Sequence, residues 1–219
     1  MNMRENRLDR ETRLRLARHI RANRAAETRE AMQGGEWTVF NSNLQRIHAD
    51  MGFETREVVG RLQAANPNRK IRILDLGCLE GTAIREIADN FSNVEAHGLS
   101  IKRMPQWGGA GNISWHVAHN HNTRLPSNHF DFVYSYFGLT HSQPYRPAFA
   151  ELNRILAHGG EAKINLMLGG VETSDQMAET GRWKQELEEA GFEVLEARKK
   201  RMWNHEFECA LFHIRKRVR

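Results

Sequence analysis

Residues 71–82, with the sequence IRILDLGCLEGT, constrain the fold more than any other part of this chain. A short apolar run ends in Asp-Leu-Gly, passes through a loop bounded by Gly77 and Gly81, and leads into residues with helical spacing. This order is typical of the βα unit that binds a nucleotide-like ligand at the carboxyl end of its first strand. Glycine permits the tight turn and the close approach of a ligand to the backbone. The amides that open the helix then face the ligand.

The residues of this loop indicate which class of ligand it binds. Asp-x-Gly-x-x-x-Gly, without the Gly-Lys-Ser/Thr ending of a phosphate-binding loop, resembles the first motif of the class I S-adenosylmethionine methyltransferases. The resemblance implies that Gly77, Cys78, Leu79 and Gly81 wrap the methionine end of the cofactor, and that Asp75 orients it through a loop amide or water. Leu79 replaces the usual middle glycine. Leucine is tolerated there if this position keeps a negative φ. The alternative is an ordinary βα turn in another doubly wound protein.

A second segment supports the same family. Residues 125–137, LPSNHFDFVYSYF, read as a turn and a buried strand, and residues 147–160 follow with helical spacing. We expect Gly159-Gly160 to end this helix and residues 161–168 to form the next strand. The pattern resembles the fourth strand, fourth helix and fifth strand of the methyltransferase family. The expected helical face consists of Phe149, Leu152, Ile155 and Leu156.

The remaining segments complete a Rossmann-like α/β fold over residues 67–219. We predict a doubly wound, mostly parallel seven-stranded sheet with an antiparallel C-terminal strand. The linker at residues 101–112 is short and contains one proline and three glycines, so we expect no full helix there. The other predicted elements are strands at 93–100 and 113–118, an acidic helix at 175–190, and a terminal antiparallel pair at 192–199 and 206–214.

Composition fits one catalytic domain with an extension. The chain has 219 residues and two cysteines without metal-ligand spacing, and no apolar run approaches the roughly 18 residues that span a bilayer. The amino terminus is too charged for a secretory signal, and two unpaired-looking cysteines suit a reducing compartment, so we expect a cytoplasmic protein. Because the cysteines lack metal-ligand spacing, we expect no bound metal.

Residues 1–66 are predicted to form a helical N-terminal extension. Residues 1–32 are rich in arginine around a narrow apolar stripe, and the formal net charge of the chain is +5. Such a helix is typical of a nucleic-acid arm, a membrane-surface helix, a docking helix for a protein partner, or a solvated helix. Residues 36–65 form a second helical region, which Gly52 divides. By resemblance this region is a lid over the substrate pocket; the alternative is a cover on one sheet edge.

Two expected cofactor contacts depart from the family pattern. Ser100 stands where an acidic residue normally binds both ribose hydroxyls, and the loss of a carboxylate there costs on the order of 1–3 kcal/mol. His121 stands where many members place an aspartate that accepts from the adenine amine. Neutral His121, or the amide carbonyl of Asn120 or Asn122, can accept that bond instead.

The resemblance places the substrate beyond the fourth strand, near Tyr134, Tyr136, His141 and Tyr145. His141 is the best candidate base because histidine titrates near neutrality, and Tyr136 is a second catalytic candidate. We therefore predict an S-adenosylmethionine-dependent methyltransferase acting on oxygen or nitrogen of a small molecule. The alternatives are an RNA-directed methyltransferase, which uses the arginine-rich helix and basic C-terminal clusters such as residues 198–201, and a non-catalytic scaffold of the same fold.

Overall fold

The computed structural model describes residues 43–108, 112–168, 173–202 and 207–218. Seven strands in this part of the chain form one sheet. They are β1 (Ile71–Leu76), β2 (Val94–Ser100), β3 (Ile113–Val117), β4 (Phe130–Ser135), β5 (Leu156–Met167), β6 (Phe192–Met202) and β7 (Phe207–Lys216). The helices are α1 (Leu44–Met51), α2 (Thr55–Ala65), α3 (Thr82–Asn90), α4 (Tyr145–Ile155) and α5 (Thr173–Glu189).

The sheet order confirms the predicted doubly wound topology. The strands lie in the order β3-β2-β1-β4-β5-β7-β6, and β7 runs antiparallel to its neighbours β5 and β6. The other paired strands are parallel. Because the chain crosses from one side of β1 to the other after β3, the carboxyl ends of β1 and β4 lie side by side at the switch point of the sheet. This is where an open α/β sheet binds its ligand.

Each face of the sheet is covered by its own helices. On the first face, α1, α2 and α3 contribute Ile47, Val59 and Ile84 to one apolar cluster. On the second face, α4 and α5 contribute Phe149 and Trp183 to another. The periodic apolar residues of these helices therefore face the sheet, as amphipathic spacing requires.

Gly52 divides the N-terminal helical region, as predicted. It ends α1 in the left-handed conformation, with φ of 66°. At the other end of α1, the side chain of Asn43 accepts a hydrogen bond from the Arg46 amide at 2.9 Å, an N-cap. Lys163 on β5 donates to the Gly52 carbonyl at 2.7 Å, and Lys200 on β6 donates to the Ala49 carbonyl. These cations stabilise the negative end of the α1 dipole.

The predicted arginine-rich helix of residues 1–32 lies outside the described residues, as does the first part of the second helical region. The extension that we expected to act as a lid is therefore described only from residue 43 onward. The boundary between extension and domain at residues 66 and 67 remains a prediction.

The glycine pair Gly159-Gly160 does not end a helix, contrary to our expectation. Helix α4 ends at Ile155, and β5 begins at Leu156, so the pair lies within the strand. The register between β4 and β5 shifts between Phe130 and Phe132, and Gly159 has φ of 73°. A Cβ on Gly160 would lie 2.9 Å from the Phe130 carbonyl oxygen. The glycines therefore allow a bulge in β5.

The basic cluster at residues 198–201 is part of strand β6, where side chains alternate between the two faces. Each of its four cations has a polar partner within the protein. Arg198 pairs with Glu196, Arg201 pairs with Glu208, Lys199 contacts Gln176, and Lys200 binds Ala49. The cluster is not one continuous basic surface, which weakens its use as evidence for RNA binding.

Candidate active site

The loop between β1 and α3, residues 77–81, lies at the switch point. The amides of Gly77 and Cys78 both donate to the Leu99 carbonyl at the end of β2, at 2.9 Å. The Gly81 amide donates to the Cys78 carbonyl at 2.8 Å and closes the turn. This glycine loop is therefore fixed to the neighbouring strand by its own backbone.

Leu79 adopts a positive φ of 47°, so the condition under which leucine would replace glycine without strain is not met. The left-handed conformation costs a residue with a Cβ about 1–2 kcal/mol. The Leu79 carbonyl accepts a hydrogen bond from the Trp107 indole at 2.8 Å, which helps to hold the strained residue. Strain of this kind is typical of functional loops.

The space beside the loop glycines is filled by the protein itself. A Cβ on Gly77 would lie 2.5 Å from the Cα of Gly138, which follows β4. A Cβ on Gly81 would lie 2.4 Å from the Trp115 ring. These glycines therefore let the two loops and the indole pack closely, a requirement that the sequence motif alone did not reveal.

Asp75 lies on β1 directly beneath the loop and is 5% exposed. Its carboxylate accepts a hydrogen bond from the hydroxyl of Tyr134 on β4 at 3.0 Å. Burial raises the pKa of Asp75 to about 7, and the Tyr134 hydrogen bond opposes that shift. The observed partner is thus a tyrosine on the adjacent strand, where we had expected a loop amide or water.

Ser100 and Asn120 lie at the same edge of the sheet. Ser100 is the last residue of β2 and is 3% exposed, and Asn120 in the loop after β3 is 8% exposed. The amide nitrogen of Asn120 donates to the Gly138 carbonyl at 3.0 Å and to the Ser142 hydroxyl at 2.8 Å. Because these bonds use both amide protons, the side-chain oxygen remains as the acceptor for a ligand.

His121 and Asn122 are exposed, whereas Asn120 is buried. The His121 ring stacks on that of His119, with centroids 5.2 Å apart, and His119 forms a bridge with Asn122. Of the three side chains predicted to accept from adenine, Asn120 is the one that the structure buries at this edge. It is therefore the strongest adenine-binding candidate.

The two catalytic candidates follow β4 at the same edge. Tyr136 donates to the Asp50 carboxylate on α1 at 2.5 Å. Burial, and then this hydrogen bond, raise the pKa of the Tyr136 phenol above its ordinary value of 10. Tyr136 is thus a neutral phenol that connects β4 to α1. His141 ends a 3-10 turn at Leu139–His141, and burial lowers its pKa below 6.5. It is therefore neutral near pH 7 and able to accept a proton.

The sequence analysis missed two residues of this site and misjudged two others. Tyr134 is fully buried against Asp75 and Tyr145 is 4% exposed, so neither faces a substrate as we had expected. Gly138 and Asp50 were not identified. The Tyr-x-x-x-Gly spacing after β4 gave no signal, because its importance arises from contacts between residues distant in the chain.

The polar groups at this edge suit an adenosyl cofactor without phosphate. Residues 77–82 contain no lysine or arginine, and the Ser100 hydroxyl and the Asn120 side-chain oxygen are neutral hydrogen-bonding groups. A phosphate would instead require cations at the loop. Within the described part of the chain, no group of three or more His, Cys, Asp or Glu residues is placed to hold a metal ion. No helix there is long and apolar enough to cross a membrane.

Comparison with known proteins identifies the domain around this site. A family model described as a methyltransferase domain matches residues 74–164, which include the glycine loop, Ser100, Asn120 and His141. The search of curated proteins found no match.

Three solved structures illustrate the fold. The 1,6-didemethyltoxoflavin-N1-methyltransferase of Burkholderia thailandensis, bound to its substrate and S-adenosylhomocysteine, has a TM-score of 0.58 at 14% identity, covering 92% of this chain and 90% of that one. The phosphoethanolamine N-methyltransferase 2 of Haemonchus contortus has a TM-score of 0.53 at 14% identity, covering 75% of this chain. This chain spans about half of its length, 53%. The [4+2]-cyclase SpnF has a TM-score of 0.55 at 15% identity, covering 74% of this chain and 81% of that one.

Proposed function

We propose that this chain is a class I S-adenosylmethionine-dependent methyltransferase, which transfers a methyl group to an oxygen or nitrogen atom of a small-molecule acceptor. The observation that carries the proposal is the glycine loop at the switch point, within the matched methyltransferase domain. Two similar structures are named as N-methyltransferases of small molecules, which favours a nitrogen acceptor.

Neutral hydrogen bonds hold the cofactor in this proposal. The glycine loop faces the methionine end, the Ser100 hydroxyl binds the ribose, and the Asn120 side-chain oxygen accepts from the adenine amine. Asp75 acts beneath the loop, where its bond to Tyr134 fixes the end of β1 against β4. His121 and Asn122 are assigned to the rim of the adenine site.

The cofactor supplies a methyl group on a sulfonium that carries its own leaving group, so the protein contributes mainly alignment of acceptor, methyl and sulfur. His141 removes a proton from an acceptor that is protonated in solution. Tyr136 stays protonated and positions the acceptor, because its hydroxyl is held by Asp50.

The first test is calorimetric titration of the protein with S-adenosylmethionine and S-adenosylhomocysteine. Ser100→Asp should bind both ligands about tenfold or more tightly, because a carboxylate forms charge-assisted bonds with the ribose hydroxyls. This gain cannot arise from damage to the fold. Ser92→Asp, at an exposed position after α3, is the matched control and should leave affinity unchanged. No binding at millimolar cofactor would contradict the proposal.

Turnover is then measured with radiolabelled cofactor and a panel of small amines and phenols. With a protonated acceptor, the rate should fall as the pH drops below the lowered pKa of His141, and His141→Asn should remove this dependence. A His141→Asn variant with the wild-type rate and pH profile would exclude it as the base. Neither the described residues nor the comparisons support the RNA-directed or the non-catalytic alternative.

A further inference from the structure

The linker after β2 carries an indole that enters the protein interior. Trp107 ends the 3-10 turn at Pro105–Trp107 and is 3% exposed. Its neighbours Gln106 and Gly108 are exposed, and Trp107 is the one buried residue of the described linker, residues 101–108. The single inserted side chain therefore anchors a linker that is too short for a full helix.

Trp107 packs flat on Trp115 of β3. The two rings are 4.9 Å apart with an angle of 14° between their planes, and the guanidinium of Arg85 lies 5.0 Å from the centroid of Trp115. A Cβ on Gly81 or Gly98 would collide with the Trp115 ring, at 2.4 and 2.6 Å. Trp115 thus fills the space beneath the end of the glycine loop, and Trp107 covers Trp115.

The same turn binds the glycine loop directly. The Trp107 indole N–H donates to the Leu79 carbonyl at 2.8 Å. The side chain of Gln106 donates to the Glu80 carboxylate at 3.1 Å, and the Gln106 carbonyl accepts from Arg85 on α3. Two consecutive linker residues therefore contact two consecutive loop residues.

We propose that Trp107 is a positioning residue for the cofactor, which holds the glycine loop in its binding conformation through the Leu79 carbonyl. Leu79 has a φ of 47°, which a leucine leaves readily unless other contacts hold it. The Leu99 carbonyl holds the amides of Gly77 and Cys78 at the start of the loop, whereas Leu79 and Glu80, between Cys78 and Gly81, are contacted by the linker. The identity of the ligand rests on the proposed function, but the ordering of the glycine loop by Trp107 does not depend on which ligand binds.

The test compares two Trp→Phe substitutions that differ in one hydrogen bond. Trp107→Phe keeps an aromatic ring against Trp115 but loses the donor to Leu79. Trp183→Phe, on the second face, also removes a buried indole N–H, but that N–H has no hydrogen-bond partner among the described residues. Calorimetry with S-adenosylhomocysteine, hydrogen exchange of the loop amides without ligand, and thermal unfolding are measured for both.

Trp107→Phe should weaken S-adenosylhomocysteine binding about five- to tenfold, as expected for the loss of one hydrogen bond that orders the site. It should also speed exchange at Gly77, Cys78 and Gly81, while Trp183→Phe leaves both properties at the wild-type level. Gln106→Leu, an exposed substitution that removes the bond to Glu80, should shift both properties in the same direction by about two- to threefold.

Wild-type exchange at the loop amides in both Trp107→Phe and Gln106→Leu would overturn the proposal, as would an unchanged ligand affinity in both. If the wild-type protein binds no S-adenosyl ligand, the proposed function fails, but the exchange measurement still decides whether Trp107 orders the loop. If Trp107→Phe unfolds, Gln106→Leu decides the question, because it leaves the buried ring stack in place.

Discussion

The two faces of the sheet are held by different forces. On the second face, α4 and α5 meet mainly through apolar contact, with the Tyr145 and Trp183 rings 5.4 Å apart and Phe149 fully buried. The Arg146–Glu189 ion pair that also joins these helices, at 2.7 Å, is exposed to solvent. On the first face, a buried carboxylate crosses the boundary between helix and sheet, because Glu161 on β5 binds the half-exposed Arg61 on α2. Apolar packing is insensitive to pH, whereas these ionic contacts titrate. The attachment of α2 to the sheet is thus the one that responds to solution conditions.

Glu161 provides the strongest test of this difference. It is 2% exposed, and its carboxylate contacts Arg61 at 2.7 Å, His213 at 3.0 Å and Arg215 at 3.0 Å. Burial alone would raise the pKa of Glu161, but hydrogen bonds from these three residues lower it to about 2. We expect Glu161→Gln to lower the free energy of unfolding by about 3 kcal/mol at pH 7, measured by urea denaturation, because it removes the charge of a buried carboxylate that accepts several charge-assisted hydrogen bonds.

The pH dependence of this effect has a definite sign. The pKa of Glu161 in the folded protein is below its ordinary value of 4.5. Its contribution to the free energy of unfolding is therefore present above pH 4.5 and lost as the pH falls through about 2. The matched control is Glu193→Gln, since the Glu193 side chain is 55% exposed and meets Arg215 at 3.5 Å. It should cost less than about 0.5 kcal/mol. Equal losses for the two variants would remove the distinction between the faces.

Asp75 gives a smaller effect of opposite sign. Its pKa of about 7 lies above its ordinary value of 3.8, so its contribution to stability is complete below pH 3.8 and lost as the pH rises through 7. Asp75→Asn retains an acceptor for Tyr134 and removes the buried charge. We expect the variant to be about 2 kcal/mol more stable than wild type at pH 8, with a smaller gain at pH 5.5, by urea denaturation.

Two controls define this result. Asp89→Asn, at an exposed position on α3, should change stability little at either pH. Phe149→Leu, on the second face, should destabilise the protein equally at pH 5.5 and pH 8, because no charge is involved. A gain for Asp75→Asn that is the same at both pH values would show that the ionisation of Asp75 is not its cause.

The smallest effect concerns the backbone at the edge of the first face. Leu79→Gly removes the left-handed strain of about 1 kcal/mol but adds chain entropy to the unfolded state. We expect a net change within about 0.5 kcal/mol in urea denaturation. Leu195→Gly on β6, where the backbone has no positive φ, should destabilise by about 1 kcal/mol. A larger loss for Leu79→Gly would mean that its side-chain packing outweighs the strain.

The fold was predictable because its signals are local and periodic. Apolar runs, helical spacing and the loop glycines located the strands, the helices and the switch point. The errors lie where distant residues decide the outcome. The bulge at Gly159-Gly160 depends on pairing with β4, and the hydrogen bond of Asp75 depends on Tyr134 lying opposite it in register. The positive φ of Leu79 is held by Trp107, whose position in space no motif indicates.

The contact between Gly77 and Gly138 has an evolutionary consequence. A Cβ on Gly138 would lie 2.2 Å from the Leu76 carbonyl oxygen and 2.8 Å from the Cα of Gly77, so the backbones of the two loops touch. When a large residue replaces a small one in most cores, a neighbour can shrink to compensate. Here both partners are already glycine, and neither can become smaller. A substitution at either position therefore has no second-site suppressor at the other, and each glycine is expected to persist for as long as the two loops stay in contact.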